Sequence, residues 1–198
     1  EIIENEPENA DTVKQFAAKM ATSLKRMEQL ILSMLKITRL DTGNIVFEKK
    51  SCYVAELIAH SVNELTTRAK NENKEILVDG DREQLLVCDM EWTSEAIGNI
   101  VKNALDHTQS GGTVHITWEH TPAMLRIFIS DNGHGIAPED IHHIFKRFYR
   151  SKHSIDTQGI GLGLPLAKSI VEGQGGIISV QSAINTGTTF TISFLTES

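Results

Sequence analysis

The sequence predicts an α/β fold in which one long amphipathic helix precedes a set of helices alternating with short paired strands. Three observations predict it. From about Asn9 to Leu40 there is neither Gly nor Pro, and apolar residues at Val13, Ala17, Met20, Leu24, Met27, Ile31 and Met34 alternate in steps of four and three. Beyond Gly43, stretches with helical apolar spacing alternate with stretches of period two. Between the last two strand pairs lies a region of neither kind, rich in glycine and aromatic residues.

A four-three seam keeps one helix face toward a partner helix, and Phe16, Leu30, Leu35 and Ile37 widen the stripe to a bundle-type face. The same spacing also fits a long helix packed on its own domain. Pro7 and Asn9 suit the start and Gly43 the end. Next come a short strand at Ile45 to Glu48, a helix from Val54 to Asn71, and strands at Glu75 to Val78 and Leu85 to Cys88. Asp79-Gly80-Asp81 reads as the hairpin joining those two strands. Asp89 is an N-cap for a helix reaching about His107, with Trp92, Ala96, Ile97, Ile100, Val101 and Ala104 on its buried side. Gly111-Gly112 ends that helix. Thr113 to Trp118 then pairs with Leu125 to Ser130, and Ile177 to Gln181 with Thr188 to Phe194.

At 198 residues and 40% hydrophobic content the chain can fill a real core. Nineteen Lys and Arg against 26 Asp and Glu leave a net charge of −7, which opposes an electrostatic grip on nucleic acid or anionic lipid. No window approaches the roughly 18 to 20 apolar residues of a membrane span. Glu, not Met, stands first, so the chain is expected to be a soluble piece of something longer, although a processed intact protein would look the same. Cys52 and Cys88 lack a CxxC or a nearby Cys/His set, which disfavours a zinc site and a disulfide framework and suits a reducing cytoplasm.

Asn99 and Asn103 lie four apart, so both carboxamides share one helix face. A carboxamide oxygen is a hard neutral ligand, suited to a magnesium ion that must also bridge phosphates. Two surface asparagines would show the same spacing. Ser130-Asp131-Asn132-Gly133-His134-Gly135-Ile136 follows an apolar strand; its glycines let backbone approach a flat ring, and Asp131 could accept from an exocyclic amine. Asp-Asn-Gly is equally a favoured turn. Gly159-Ile160-Gly161-Leu162-Gly163-Leu164 opens into an apolar helix, where exposed N–H groups and the helix dipole favour a phosphate. It lacks the Lys-Ser/Thr of a P-loop and the second strand and acidic residue of a dinucleotide unit, so both classes fall away.

In order and spacing the chain resembles the catalytic ATP-binding domain of sensor histidine kinases, over roughly Ile45 to Leu195. Five blocks carry the resemblance: Asn99-Ile-Val-Lys-Asn103-Ala, Asp131-Asn-Gly-His-Gly135-Ile, Ile144-Phe-Lys-Arg-Phe148-Tyr-Arg150, Gly159-Ile-Gly-Leu-Gly163-Leu and Gly187-Thr188-Thr-Phe190. Leu35 to Gly43 is similar to the end of the second helix of that family's dimerisation hairpin. The division implied is residues 1–43 as hairpin helix and 44–198 as catalytic domain.

The resemblance implies a two-layer sandwich of three helices on a mixed sheet, of the histidine kinase, gyrase and chaperone type, with ATP and Mg2+ as ligands. Asp131 would accept from the adenine amino group with Thr188 beside it, and Gly133, Gly135 and Ile136 would form that loop. Asn103 would hold magnesium and Asn99 the phosphate side. Gly159, Ile160, Gly161, Leu162, Gly163 and Leu164 would cradle phosphates. Residues 150–158 would form a lid with Arg150 as its cation, Phe145 and Phe148 would pack its hinge, and His107 is a ribose or phosphate contact.

Gyrase- and chaperone-type relatives place a water-activating Glu where Asn99 stands; an amide cannot act as a base, which favours transfer over hydrolysis. Asp106 departs from the family's usual Lys and would repel phosphate unless paired. The family's phosphorylated His stands in the first hairpin helix, and His60, His107, His115, His120, His134, His142, His143 and His153 all lie downstream. The acceptor is therefore expected upstream of this sequence. The implied partners are a response regulator receiver domain and a second copy through the hairpin helices, with no nucleic acid, in the cytoplasmic portion of a membrane-anchored protein. The rivals are an ATP-driven clamp of the gyrase or chaperone type, a degenerate interaction module, and an anti-sigma-type Ser kinase, which the long helix fits poorly.

Overall fold

A computed structural model describes residues 10–151 and 160–196. In chain order its elements are α1 (Ala10–Asp41), β1 (Lys50–Tyr53), α2 (Val54–Asn71), β2 (Glu75–Asp79), β3 (Leu85–Cys88), α3 (Met90–His107), β4 (Thr113–His120), β5 (Met124–Asp131), the single turn α4 (Pro138–Ile141), α5 (Gly163–Gly173), β6 (Ile177–Ala183) and β7 (Gly187–Leu195).

Five strands form a mixed sheet in the order β2-β4-β5-β7-β6, in which β2 and β4 are parallel and the other pairs antiparallel. Period-two patterning sends Val114, Ile116, Leu125, Ile127, Ile129, Phe190 and Ile192 to one buried face. Onto that face pack α2, α3 and α5 through Leu57, Ile58, Ile97, Ile100, Val101, Leu166 and Ile170. Each such side chain contributes on the order of 1.5–3 kcal/mol through removal from water. This is the expected two-layer sandwich.

Two local expectations give way. Residues 45–48 are not a strand: Glu48 N–H donates to the Asp89 side chain at 2.9 Å, Val46 is 89% exposed, and pairing begins only at Lys50. Nor do β2 and β3 form a hairpin. β2 joins β4, whereas β3 pairs with β1 in a separate two-stranded ribbon. The turn between them runs against Trp118, whose indole N–H donates to the Asp81 carbonyl at 2.9 Å, and a Cβ at Gly80 would lie 2.3 Å from the indole ring. That contact takes the chain away from the sheet edge.

α1 behaves differently along its length. Ile37 is buried in the core, and Leu30, Met34 and Leu40 pack against it, so the C-terminal third docks on the domain. Lys36 reaches Glu95 of α3 at 2.6 Å, and Asp41 pairs with Arg147. Higher up, Met20, Leu24, Met27 and Ile31 are each more than half exposed, so the seam faces solvent.

Candidate nucleotide site

α3 begins where its sequence signal places it. Asp89 Oδ1 accepts the Trp92 N–H at 3.2 Å, satisfying one of the orphan donors of the first turn. From that start, Asn99 and Asn103 fall on the face turned to a cleft of about 1000 Å³. The opposite wall is Gly161, Leu162, Gly163 and Leu164 at the start of α5, with Ile160 beside them. Asn99 Nδ2 donates to the Glu95 carbonyl at 3.0 Å, and its Oδ1 lies 3.1 Å from where a Cβ on Gly163 would stand. The asparagine face and the glycine turn are thus in close contact, and a side chain at Gly163 would push the Asn99 carboxamide aside by a few tenths of an ångström.

The cleft carries a local charge opposite to that of the whole chain. Six basic residues line it, Lys25, Arg26, Lys36, Arg68, Lys74 and Lys102, against three acidic ones, Glu72, Glu95 and Asp106. A concave site with this bias concentrates a polyanion despite the net charge of −7. Asp106 does not aim its charge at that anion unopposed. Arg68 of α2 binds it at 2.5 Å and binds Glu72 at 2.6 Å, while Lys74 holds Glu72 at 2.6 Å and the Leu105 carbonyl at 2.7 Å. The hydrogen bond from Lys74 and then that from Arg68 hold the Glu72 carboxyl below its ordinary value, although burial opposes them.

At the other end of α3, Asp131 closes β5 opposite Thr188 of β7. Gly133 N–H donates to Asp131 Oδ1 at 2.9 Å. Burial pushes the Asp131 carboxyl above the ordinary carboxylate range, while the N–H groups of Gly133 and Thr188 pull the other way. A carboxylate has room for several donors, so these leave capacity for an exocyclic amine. Ser182 of β6 ties the loop down. It accepts the Ile136 N–H at 2.8 Å, donates to the Gly187 carbonyl at 2.9 Å and meets the Thr188 hydroxyl at 3.0 Å. With its single proton spent on Gly187, Ser182 must accept from Thr188. Sequence reasoning missed Ser182, which carries no motif signal; only the β6–β7 register brings it to Thr188.

His107 turns toward the same loop. Its Nδ1 lies 2.9 Å from His134 Nε2, and His134 Nδ1 lies 2.7 Å from the Gly135 carbonyl. A carbonyl only accepts, so His134 carries its proton on Nδ1 and, when neutral, accepts from His107 Nδ1–H. Burial holds the His107 imidazole below its ordinary value, and His134 adds to this. His107 does not line the 1000 Å³ cleft, which separates it from the phosphate side.

Of the remaining expected residues, Gly159 and most of the 150–158 stretch lie outside the described residues. Arg150 is exposed at the near end of that stretch. Phe145 packs edge-on against Phe190, with ring centroids 6.3 Å apart, whereas Phe148 is 52% exposed with a φ of 61°. The Phe148 N–H donates to the Gly161 carbonyl at 2.9 Å, which fastens the aromatic block to the glycine turn.

The arrangement fits Mg-ATP. Among the described residues no group of three or more His, Cys, Asp or Glu gathers to cage a metal. A half-buried Asn103 in a cationic cleft suits an ion that keeps waters and takes its other ligands from phosphates.

Residues 88–198 match the family described as histidine kinase-, DNA gyrase B- and HSP90-like ATPase. The chain belongs to this family. Its curated relatives include a sensor-like histidine kinase and a sensor protein. It is 28% identical over 187 residues to the sensor-like histidine kinase SenX3 of Mycobacterium tuberculosis, covering 93% of this chain and 46% of that protein. It is 29% identical over 184 residues to the sensor protein SrrB of Staphylococcus aureus, covering 92% of this chain and 32% of that protein. The chain thus spans less than half the length of these relatives. Among solved structures, the mycobacterial sensor histidine kinase MprB matches with a TM-score of 0.66 and 27% identity, over 74% of this chain and 97% of that one. Full-length ShkA, solved with AMPPNP, shares the fold with a TM-score of 0.80 and 21% identity, over 93% of this chain and 39% of that one. The chain carries the ATP-binding catalytic domain of a sensor histidine kinase.

Proposed function

We propose that this domain binds Mg-ATP and transfers the γ-phosphoryl group to a histidine on a separate helix, for relay to an aspartate of a response regulator. The observation that carries this reading is Asn99. It lies against the glycine turn, with its amide locked to the Glu95 carbonyl, where a hydrolase of this family would need a general base. Asn103 would hold the magnesium ion, which when bound would neutralise phosphate charge. Asp131 and Thr188 would orient adenine, and the Gly161 to Leu164 backbone would face the phosphates. His107 acts on the nucleotide pocket through His134 and the Gly135 loop, and Arg150 is the lid cation.

In this reading residues 1–43, whose described part is α1 (Ala10–Asp41), would belong to the second arm of a dimerisation hairpin and 44–198 to the catalytic domain. The exposed Met20, Leu24, Met27 and Ile31 seam would then pair within a four-helix dimer stem. The solved complex of ThkA with its response regulator TrrA, which shares this fold with a TM-score of 0.76, fits a receiver domain as partner. The setting is the cytoplasmic side of a membrane-anchored sensor; no described helix is long and apolar enough to cross a membrane.

Calorimetric titration with ATP, with and without Mg2+, tests the reading. ATP should bind, and magnesium should tighten it. Absence of binding to any adenine nucleotide would favour a non-catalytic interaction module, and rapid steady phosphate release would favour a hydrolytic clamp.

A further inference from the structure

Cys52 and Cys88 are separated in sequence but adjacent in space, with their sulfurs 3.7 Å apart. The β1–β3 register explains why. Cys52 faces Leu86 and Lys50 faces Cys88, so the two cysteines are diagonal neighbours on one face of a two-stranded ribbon. They are not equivalent. Cys88 is 1% exposed, whereas Cys52 is partly open to solvent.

The polar surroundings assign different roles. Cys52 Sγ lies 3.6 Å from the Leu86 carbonyl, where it can donate, which leaves Cys88 as donor to Cys52. That hydrogen bond holds the Cys52 thiol below its ordinary value, against burial and Glu56, and the same bond followed by burial pushes Cys88 far up. Cys52 is thus the more thiolate-like sulfur and the accessible one, while Cys88 is the protonated sulfur held behind it. No third and fourth ligand joins them among the described residues, which argues against a zinc site.

We propose that Cys52 and Cys88 form a peroxide-sensitive thiol pair that closes reversibly to an intramolecular disulfide. The Cys52 thiolate attacks the terminal oxygen of a hydroperoxide. The S–O bond forms, the O–O bond breaks, and the alcohol or water leaves after taking a proton from solvent. Cys88 then attacks the Cys52 sulfenic sulfur. The S–S bond forms, the S–O bond breaks, and hydroxide departs as water with the Cys88 proton. Two electrons pass from the thiols to the peroxide, and a dithiol returns them. The sulfurs must close from 3.7 Å to about 2.0 Å. Diagonal neighbours in an antiparallel pair have Cα atoms roughly 7–8 Å apart, so closure takes a shift of the ribbon backbone as well as side-chain rotation.

The position ties this chemistry to the nucleotide site. Cys88 precedes Asp89, the cap of the helix that presents Asn99 and Asn103, and Cys52 precedes Tyr53, the N-cap of α2. Gln174, at the C-terminus of α5, donates to Thr93 at 3.0 Å and accepts the Asp89 N–H at 2.7 Å. A disulfide therefore cross-links the two ribbon strands at the residues that lead into α2 and α3, beside the contact that ties α3 to α5.

The full chain, exposed to dilute hydrogen peroxide, alkylated under denaturing conditions and weighed intact, tests this. The expected product is a monomer lighter by two hydrogens, unalkylated, with Cys52 and Cys88 in one linked peptide pair and both thiols recovered after dithiol reduction. Two alkylated cysteines after treatment, or disulfides only between copies, would overturn the proposal. In Cys88→Ser, a 1,3-diketone probe should trap Cys52 as its sulfenic acid, and in Cys52→Ser the oxidation of Cys88 should slow by about tenfold or more. Trapping at Cys88 in preference to Cys52, with both variants folded by circular dichroism, would overturn the assigned order.

Discussion

Replacing Asp131 by Asn should weaken ATP binding strongly while leaving the fold at least as stable. The carboxylate is half-buried, accepts the Gly133 N–H at 2.9 Å and faces Thr188 across the sheet. Asn has the same shape and its carbonyl can keep the Gly133 bond. What it loses is the second anionic acceptor, where an amide NH2 would meet the adenine amino group donor to donor. A hydrogen bond to a charged group is worth about 1.5–3 kcal/mol, so the dissociation constant should rise roughly 10- to 150-fold. Burial disfavours the charge, so the apo melting temperature should hold or rise. The pH dependence follows in sign. With its value raised on folding, Asp131 binds its proton more tightly folded than unfolded, so stability falls as pH rises between the two values, and Asp131→Asn removes that slope. Affinity runs the opposite way, weakening as pH drops through the raised value. Calorimetric titration with a parallel thermal melt reads both quantities. An affinity within twofold of wild type, with an intact melt, would refute Asp131 as the adenine acceptor.

Asn103→Ala should abolish the magnesium-dependent part of ATP affinity and spare the magnesium-free part, read by titration with and without the metal. Arg68→Ala should free the Asp106 charge beside the cleft and weaken ATP by about tenfold at low salt; Asp106→Asn added to it should restore binding, since the penalty lies in the unpaired carboxylate. Phe190→Ala, at a fully buried position packed on Phe145, should cost about 3–5 kcal/mol in urea unfolding.

The long helix, the α3 cap and the β4–β5 and β6–β7 pairs were legible because local periodicity and capping decide them: Asp89 caps α3, which ends at His107 with Thr108 as its C-cap, ahead of the Gly111-Gly112 stop signal, and period two holds through Thr113 to Trp118. Partner choice was less legible. Asp79-Gly80-Asp81 is a sound turn signal, yet what pairs with the strands beside it depends on Trp118, 38 residues beyond Gly80. The motif blocks marked residues that line the candidate site, but not the contacts that hold them in place. Arg68, which offsets Asp106, and Ser182, which anchors Ile136 and Thr188, come from elements with no motif of their own. Cys52 and Cys88 looked solitary for the same reason, since strand register, not sequence distance, sets them side by side.

The most direct measurement is the fate of the γ-phosphoryl group. The chain, incubated with γ-labelled ATP, Mg2+ and a peptide or domain supplying the family's histidine-bearing hairpin helix, should place acid-labile label on that histidine, with little label released as phosphate. Label appearing only as inorganic phosphate, while the acceptor stays unmodified and ATP binds normally, would contradict a kinase and show a hydrolase in its place.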